Sequence, residues 1–306
     1  MAAGVVFGVL AYGSWGFVPF YFNAIRRVDP VEVLCHRVIW SVLLLAVLVH
    51  FRGRWREARD LLREPSTWRC LAVSTAMIAT NWLVFIYAVT TDRLLEASLG
   101  YFINPLVSIV LGMVFLSERL RPRQWIAVGF AAAGVAVYTT VVGAPPWISL
   151  VLAFSFGTYG LVRKQAKAGA VLGLAFETAL LAPLGLAYLV TMHLTGLRPV
   201  VFLSRGGVGS AGFDVLLMAA GPITAFPLLF FAAAARRLRL STMGFMQYAT
   251  PTLHFLIAVL AFGEAFDPSR AIAFALIWVG IGVFLFDSVH AQYKTRSIAI
   301  GAVFTE

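Results

Sequence analysis

Charge is what this sequence has least of. Only 12% of its 306 residues are Asp, Glu, Lys or Arg, against roughly 25% in ordinary globular proteins. Such a chain cannot cover a surface that faces water on all sides, so lipid must be its main solvent. Cysteine is scarce as well. Two residues, Cys35 and Cys70, exclude a secreted disulfide scaffold. They are expected at different depths in the membrane, too far apart to bridge. The chain also lacks HExxH, GxSxG and GxxxxGK[ST], so neither zinc hydrolysis, a serine nucleophile elbow nor nucleotide-driven pumping is expected. One GxGxxG, at Gly207, Gly209 and Gly212, has no strand–helix–strand unit around it and reads as a flexible loop. No enzyme activity, cofactor or metal is expected.

What is present is apolar. Hydrophobic residues make up 60% of the chain, with 25 Phe, 8 Trp and 9 Tyr, and the mean hydropathy is +0.87. This excludes disorder. The net charge is +10, but the basic residues cluster between apolar runs. They therefore set topology and meet anionic lipid head groups rather than nucleic acid. A membrane helix needs about 20 apolar residues. Ten runs qualify, at 3–24, 32–51, 69–90, 96–116, 124–143, 147–162, 170–194, 213–235, 241–262 and 270–290. Their hydrophobicity does not alternate, which excludes a β-barrel. The first run has no basic n-region and no cleavage site, so it reads as a retained helix rather than a signal peptide. With the N-terminus placed in the cytoplasm, seventeen basic residues fall on the inner side, six on the outer, and Arg37 within the second span. Both termini are therefore expected in the cytoplasm.

The halves repeat. At an offset of 146, Arg93-Leu94 falls on Arg239-Leu240, Pro105 on Pro251, Glu118 on Glu264, Pro122 on Pro268 and Gly134 on Gly280. The expected organisation is a first five-helix repeat at 1–143, a second at 144–290 and a cytoplasmic tail at 291–306. Five is odd, so the second copy enters the membrane inverted. That is a design of secondary transporters, with the substrate site between the repeats.

Polar residues at membrane depth point to that site. Tyr101, Asn104, Pro105 and Ser108 share a face of the fourth span. Their mates on the ninth are Gln247, Thr250, Pro251 and His254. The two prolines are candidate hinges. Asn81 and Trp82 lie in the middle of the third span. Tyr12 and Trp15 make the first span aromatic, and Tyr159 is the mate of Trp15. Each has two readings, as cavity lining or as packing between helices. Two charges lie inside spans. Arg37 attracts an anionic group, and Glu177 handles a cation or proton, or else each pairs structurally. Glu96 and His36 are further protonation candidates. Asp29, Glu118, Glu264 and Asp287, at span ends, read as helix caps or interfacial ion pairs.

Five stretches carry a family resemblance. HRVIWS at 36–41, NWLVFIYAV at 81–89, LEASLGYFINPLVSIVLGMVFLSERL at 95–120, FSFGTYGLVRK at 154–164 and RLRLSTMGFMQYATPTL at 237–253 resemble the RarD-type branch of the EamA transporters, in the drug/metabolite transporter superfamily. The chain departs from typical members in having no polar extension before its first span. The resemblance implies a ten-helix inner-membrane permease, an attached label of chloramphenicol sensitivity, and export of amino acids or other metabolites. The alternatives are a broad-specificity drug permease and a membrane scaffold or sensor without flux. The expected partners are a small-molecule substrate, membrane lipid and protons.

Overall fold

The computed structural model describes residues 2–117, 121–166, 168–197, 211–235, 237–238, 243 and 246–303. Among them there is no strand. Lipid offers no hydrogen bonds to the backbone, and a helix satisfies its own. The α-helices are α1 (Ala2–Ala24), α2 (Pro30–Phe51), α3 (Trp55–Arg63), α4 (Pro65–Thr90), α5 (Leu94–Leu116), α6 (Pro122–Val142), α7 (Trp147–Gln165), α8 (Ala170–Thr195), α9 (Ala211–Ala235), α10 (Ala249–Leu256) and α11 (Pro268–Val303). A π-helical turn, Ile257–Ala261, continues α10.

Eight of these helices are long and apolar enough to cross a membrane: α1, α2, α4, α5, α6, α8, α9 and α11. The sixth and ninth expected spans are shorter apolar helices, Trp147–Arg163 and Ala249–Ala261. In the ninth, Pro251 sits in the first turn of α10, where proline's missing N–H is tolerated. Pro105 lies inside a continuous α5. The tail is helical to Val303. The ten apolar runs do not include α3. It is nine residues long with none buried, too short and too charged to register as a span. The mates Arg239 and Leu240, Glu118, and the Gly207 and Gly209 of the GxGxxG lie outside the described residues.

The ends of the helices follow local chemistry. Proline opens α2, α4, α6 and α11, its fixed φ suiting the first turn. Asp29 caps α2, its Oδ1 accepting from Val31 N at 2.9 Å. Glu264 caps a helix far away in sequence. Its carboxylate accepts from Leu94 N at 2.6 Å and Leu95 N at 2.8 Å, at the start of α5. Burial raises the Glu264 carboxyl above the usual carboxylate range, and the two amide bonds offset only part of that rise. Removing a cap costs about 0.5–2 kcal/mol. Glu264→Ala is therefore expected to lower the melting temperature of purified protein, and Glu264→Gln to lower it less. An unchanged melting temperature for Glu264→Ala would count against the cap.

The packing brings the two halves of the chain together. α2 packs on α8 and α9, α4 and α5 on α7, α1 on α9 and α10, α5 on α10, and α6 on α11. The α6–α11 contact is close at two glycines. A Cβ on Gly134 would lie 2.9 Å from Ala273 O, and one on Gly280 would lie 2.8 Å from Ala127 O. Both partners are backbone and cannot move aside, so each position requires glycine. Residues 134 and 127 become 280 and 273 at the offset of 146. The main core joins α1, α4, α5, α7, the α10 region and α11, and includes Phe22, Phe85, Phe102, Ile148, Leu152 and Phe274.

Candidate functional site

The polar residues of the buried interior form two linked clusters. Asn81, 2% exposed, ties three helices together. From α4 its Nδ2 donates to Leu152 O and to Ser155 Oγ on α7, each at 3.1 Å. Its Oδ1 accepts from Tyr101 OH on α5 at 3.0 Å. Every hydrogen of the amide is thereby used, which is what an amide in an apolar interior requires. The Tyr101 ring then meets Phe85 at 5.8 Å, Phe156 at 6.2 Å and His254 at 5.9 Å between centroids. His254 stacks on Phe85 at 5.1 Å. Its Nε2 lies 3.0 Å from Trp15 O on α1. Tyr12 lies a turn away, its ring 5.8 Å from Trp15 and its hydroxyl donating to Met243 O at 3.2 Å. Residues from both halves of the chain therefore share one aromatic interior.

The two embedded charges have different surroundings. Glu177 on α8 is fully buried. It accepts from Ser74 Oγ at 2.6 Å and Tyr159 OH at 3.4 Å, and its carboxylate lies 3.7 Å from Arg163 Nε. Tyr159 joins this cluster to the first through Phe156, at 5.9 Å between rings. Arg37 is 8% exposed. Its guanidinium lies 4.3 Å over the Trp82 ring and 5.7 Å from the Phe22 centroid. Its buried Nε has no hydrogen-bond partner.

The comparisons with known proteins identify the family. Residues 2–140 match the EamA-like transporter family. The chain is 46% identical over 292 residues to Protein RarD of Escherichia coli, covering 95% of this chain and 97% of that one. The chain belongs to the EamA-like transporter family, in its RarD-type branch. It is 43% identical over 293 residues to an uncharacterized transporter of Vibrio cholerae, covering 96% and 95%. A solved crystal structure, 21% identical, shares the fold with a TM-score of 0.58, over 92% of this chain and 96% of that one. The protein is a multi-pass membrane permease, and a small molecule is the substrate class of such a family.

In this RarD-type permease the other expected site residues are more dispersed. Asn104 donates to Ala153 O on α7 at 3.0 Å. Thr250 donates to Tyr12 O at 3.0 Å. Ser98 donates to Pro251 O at 2.9 Å. These bonds join helix to helix, so the fourth and ninth spans meet through Tyr101, Ser98, Pro251 and His254, while Asn104 turns to α7. Ser108 is exposed, and Gln247 is half-buried just before α10. Glu96 lies apart, at the start of α5, in a two-pronged pair with Arg93 at 2.8 and 3.0 Å. His36, 2% exposed, lies 3.9 Å from Glu32. Asp287 pairs with Arg121 at 2.7 Å, one of the ion pairs expected at span ends. Among the described residues no group of three or more His, Cys, Asp or Glu is arranged to hold a metal.

Sequence reasoning missed Phe22, Ser41, Ser74, Phe85, Ser155 and Arg163. Helical spacing held part of the signal. Phe85 follows Asn81 by four residues, and Arg163 follows Tyr159 by four, so each pair shares a face. Ser74 and Ser155 carried no such signal, because a hydroxyl in a membrane helix satisfies itself on its own backbone. Ser74 does so at Leu71 O and still reaches Glu177.

Proposed function

We propose that this protein is an inner-membrane exporter of small organic molecules such as amino acids or related metabolites, working by alternating access between two inverted five-helix repeats. The units are 1–143 and 144–290, spanning the membrane ten times with α7 and the α10 region as the two short spans, and with both termini in the cytoplasm. One observation carries the reading. The buried aromatic interior is built from both units, with Tyr101 against His254 at 5.9 Å and Phe85 against His254 at 5.1 Å. A site shared by two units changes its access when one unit moves against the other.

The glycine contacts support the inverted repeat. Gly134 faces Ala273 O and Gly280 faces Ala127 O, a reciprocal exchange of the kind a two-fold axis produces. Helix pairing follows the same rule: α5 on α7 answers α10 on α1, and α4 on α7 answers α9 on α1. The excess of basic residues on one side supports the orientation.

Purified protein in liposomes tests the reading. The vesicles are loaded with radiolabelled amino acids and chloramphenicol, and efflux is followed with and without a pH gradient. Substrate-specific efflux is expected, and a Tyr101→Ala/Gln247→Ala variant is expected to abolish it. Absence of efflux across a wider metabolite panel, from protein shown to be folded and inserted, leaves the scaffold or sensor reading in its place. Dependence on the pH gradient would direct attention to Glu177 and Glu96.

A further inference from the structure

Arg37 and Ser41 stand one helical turn apart on α2, and both are buried, at 8% and 0% exposure. Neither Arg37 Nε nor Ser41 Oγ has a hydrogen-bond partner. Among the described residues, no acidic side chain lies within ion-pair distance of Arg37. Side chains on a helix lean toward its N-terminus, so Ser41 leans toward the Arg37 turn. A buried cation is costly unless something balances it. Glu177, the other embedded charge, already has Ser74, Tyr159 and Arg163 around it. For Arg37, the faces of Trp82 and Phe22 supply the compensation. A ring face attracts a cation but leaves the N–H groups in the guanidinium plane free to donate. The fork of a guanidinium matches the two oxygens of a carboxylate.

We propose that Arg37 and Ser41 form the subsite for the carboxylate of a small organic anion, whose apolar part lies along Trp82, Phe22 and Phe85. Trp82 and Phe22 hold the guanidinium plane. Phe22 packs on Phe85 at 6.0 Å, and Phe85 on Tyr101 and His254, so the subsite adjoins the aromatic interior already described. The proposal rests on the transport reading for its purpose, but binding can be measured without flux.

The test uses the full-length protein in lipid nanodiscs. The probes are phenylacetate, hexanoate and glutarate, each with its neutral amide, and inorganic phosphate. Binding is read by scintillation proximity and by tryptophan fluorescence, since Trp82 lies against the guanidinium. At least one acid is expected to bind at least tenfold more tightly than its amide. Arg37→Gln is expected to remove that preference, bringing the affinity of the acid to that of its amide. Ser41→Ala keeps the charge and is expected to weaken the acid a few-fold. The comparison of acid with amide on the unaltered protein needs no variant to fold. Equal binding of acids and amides overturns the proposal, as does failure of every acid to bind, or an Arg37→Gln protein that keeps the preference. Phosphate competing as well as the best acid overturns the organic part and leaves a bare anion site. Acid binding without flux in liposomes sinks the transport reading and leaves the subsite standing. Flux of acids that Arg37→Gln leaves untouched does the reverse.

Discussion

Glu177→Leu is expected to destabilise the protein by about 3–5 kcal/mol, the usual consequence of removing one partner from a buried ion pair. The reason lies in what remains. Arg163, whose side chain is 14% exposed, would lose the carboxylate 3.7 Å from its Nε. Ser74 Oγ and Tyr159 OH would lose their shared acceptor. Thermal unfolding of the purified protein, with monodisperse elution as the control, measures the loss. The double variant Arg163→Met/Glu177→Leu is expected to recover most of it, because replacing a whole buried pair with apolar residues is often neutral. Failure of the double variant to recover stability would mean that the hydroxyl contacts, rather than the charge pair, dominate. Glu177→Gln keeps an acceptor for Ser74 and is expected to fold. Its flux in liposomes separates the two readings of Glu177. Retained flux that no longer depends on the pH gradient marks a proton carrier, and unchanged dependence marks a structural residue.

Asn81→Leu is expected to have the second largest effect. It removes the acceptor of Tyr101 OH and the donor to Leu152 O and Ser155 Oγ. An unsatisfied buried group costs about 1–3 kcal/mol. Interhelical hydrogen bonds in membranes average about 0.6 kcal/mol, so the stability loss should lie nearer the lower figure. Function is expected to suffer more. Tyr101 touches Phe85, Phe156 and His254, and the bond to Asn81 sets where its ring stands. About 1.4 kcal/mol of lost positioning is a tenfold change in apparent affinity. Efflux from liposomes at limiting substrate should fall by about that factor, while the melting temperature falls by only a few degrees. Wild-type efflux from folded Asn81→Leu would show that Tyr101 packs helices together and takes no part in the site.

Particular residues show how much could be read from the sequence. The long apolar runs became helices, because lipid leaves a backbone no other partner than itself. Asn81 turned inward, as an amide at that depth must. Glu264 became a cap, as its place at a span end suggested, although the sequence did not say that it would cap α5, 169 residues away. The polar face of the fourth span was legible as a pattern. Its division was not: Tyr101 meets His254, whereas Asn104 bonds the backbone of α7 at Ala153. Composition counted α3 as a loop, since a search for apolar length passes over nine residues of which five are charged.

By itself the sequence determined the solvent, the all-helical class and the family. Each is a property of composition, of local spacing, or of matched stretches along one chain. Only the tertiary structure decided which embedded charge is balanced. Arg37 and Glu177 look alike in the sequence, each a single charge inside an apolar span. Glu177 found Ser74 and Arg163 on α4 and α7, while Arg37, among the described residues, found the aromatic faces of Trp82 and Phe22. The partner of a buried charge comes from helices distant in sequence, and nothing local encodes which helices those are.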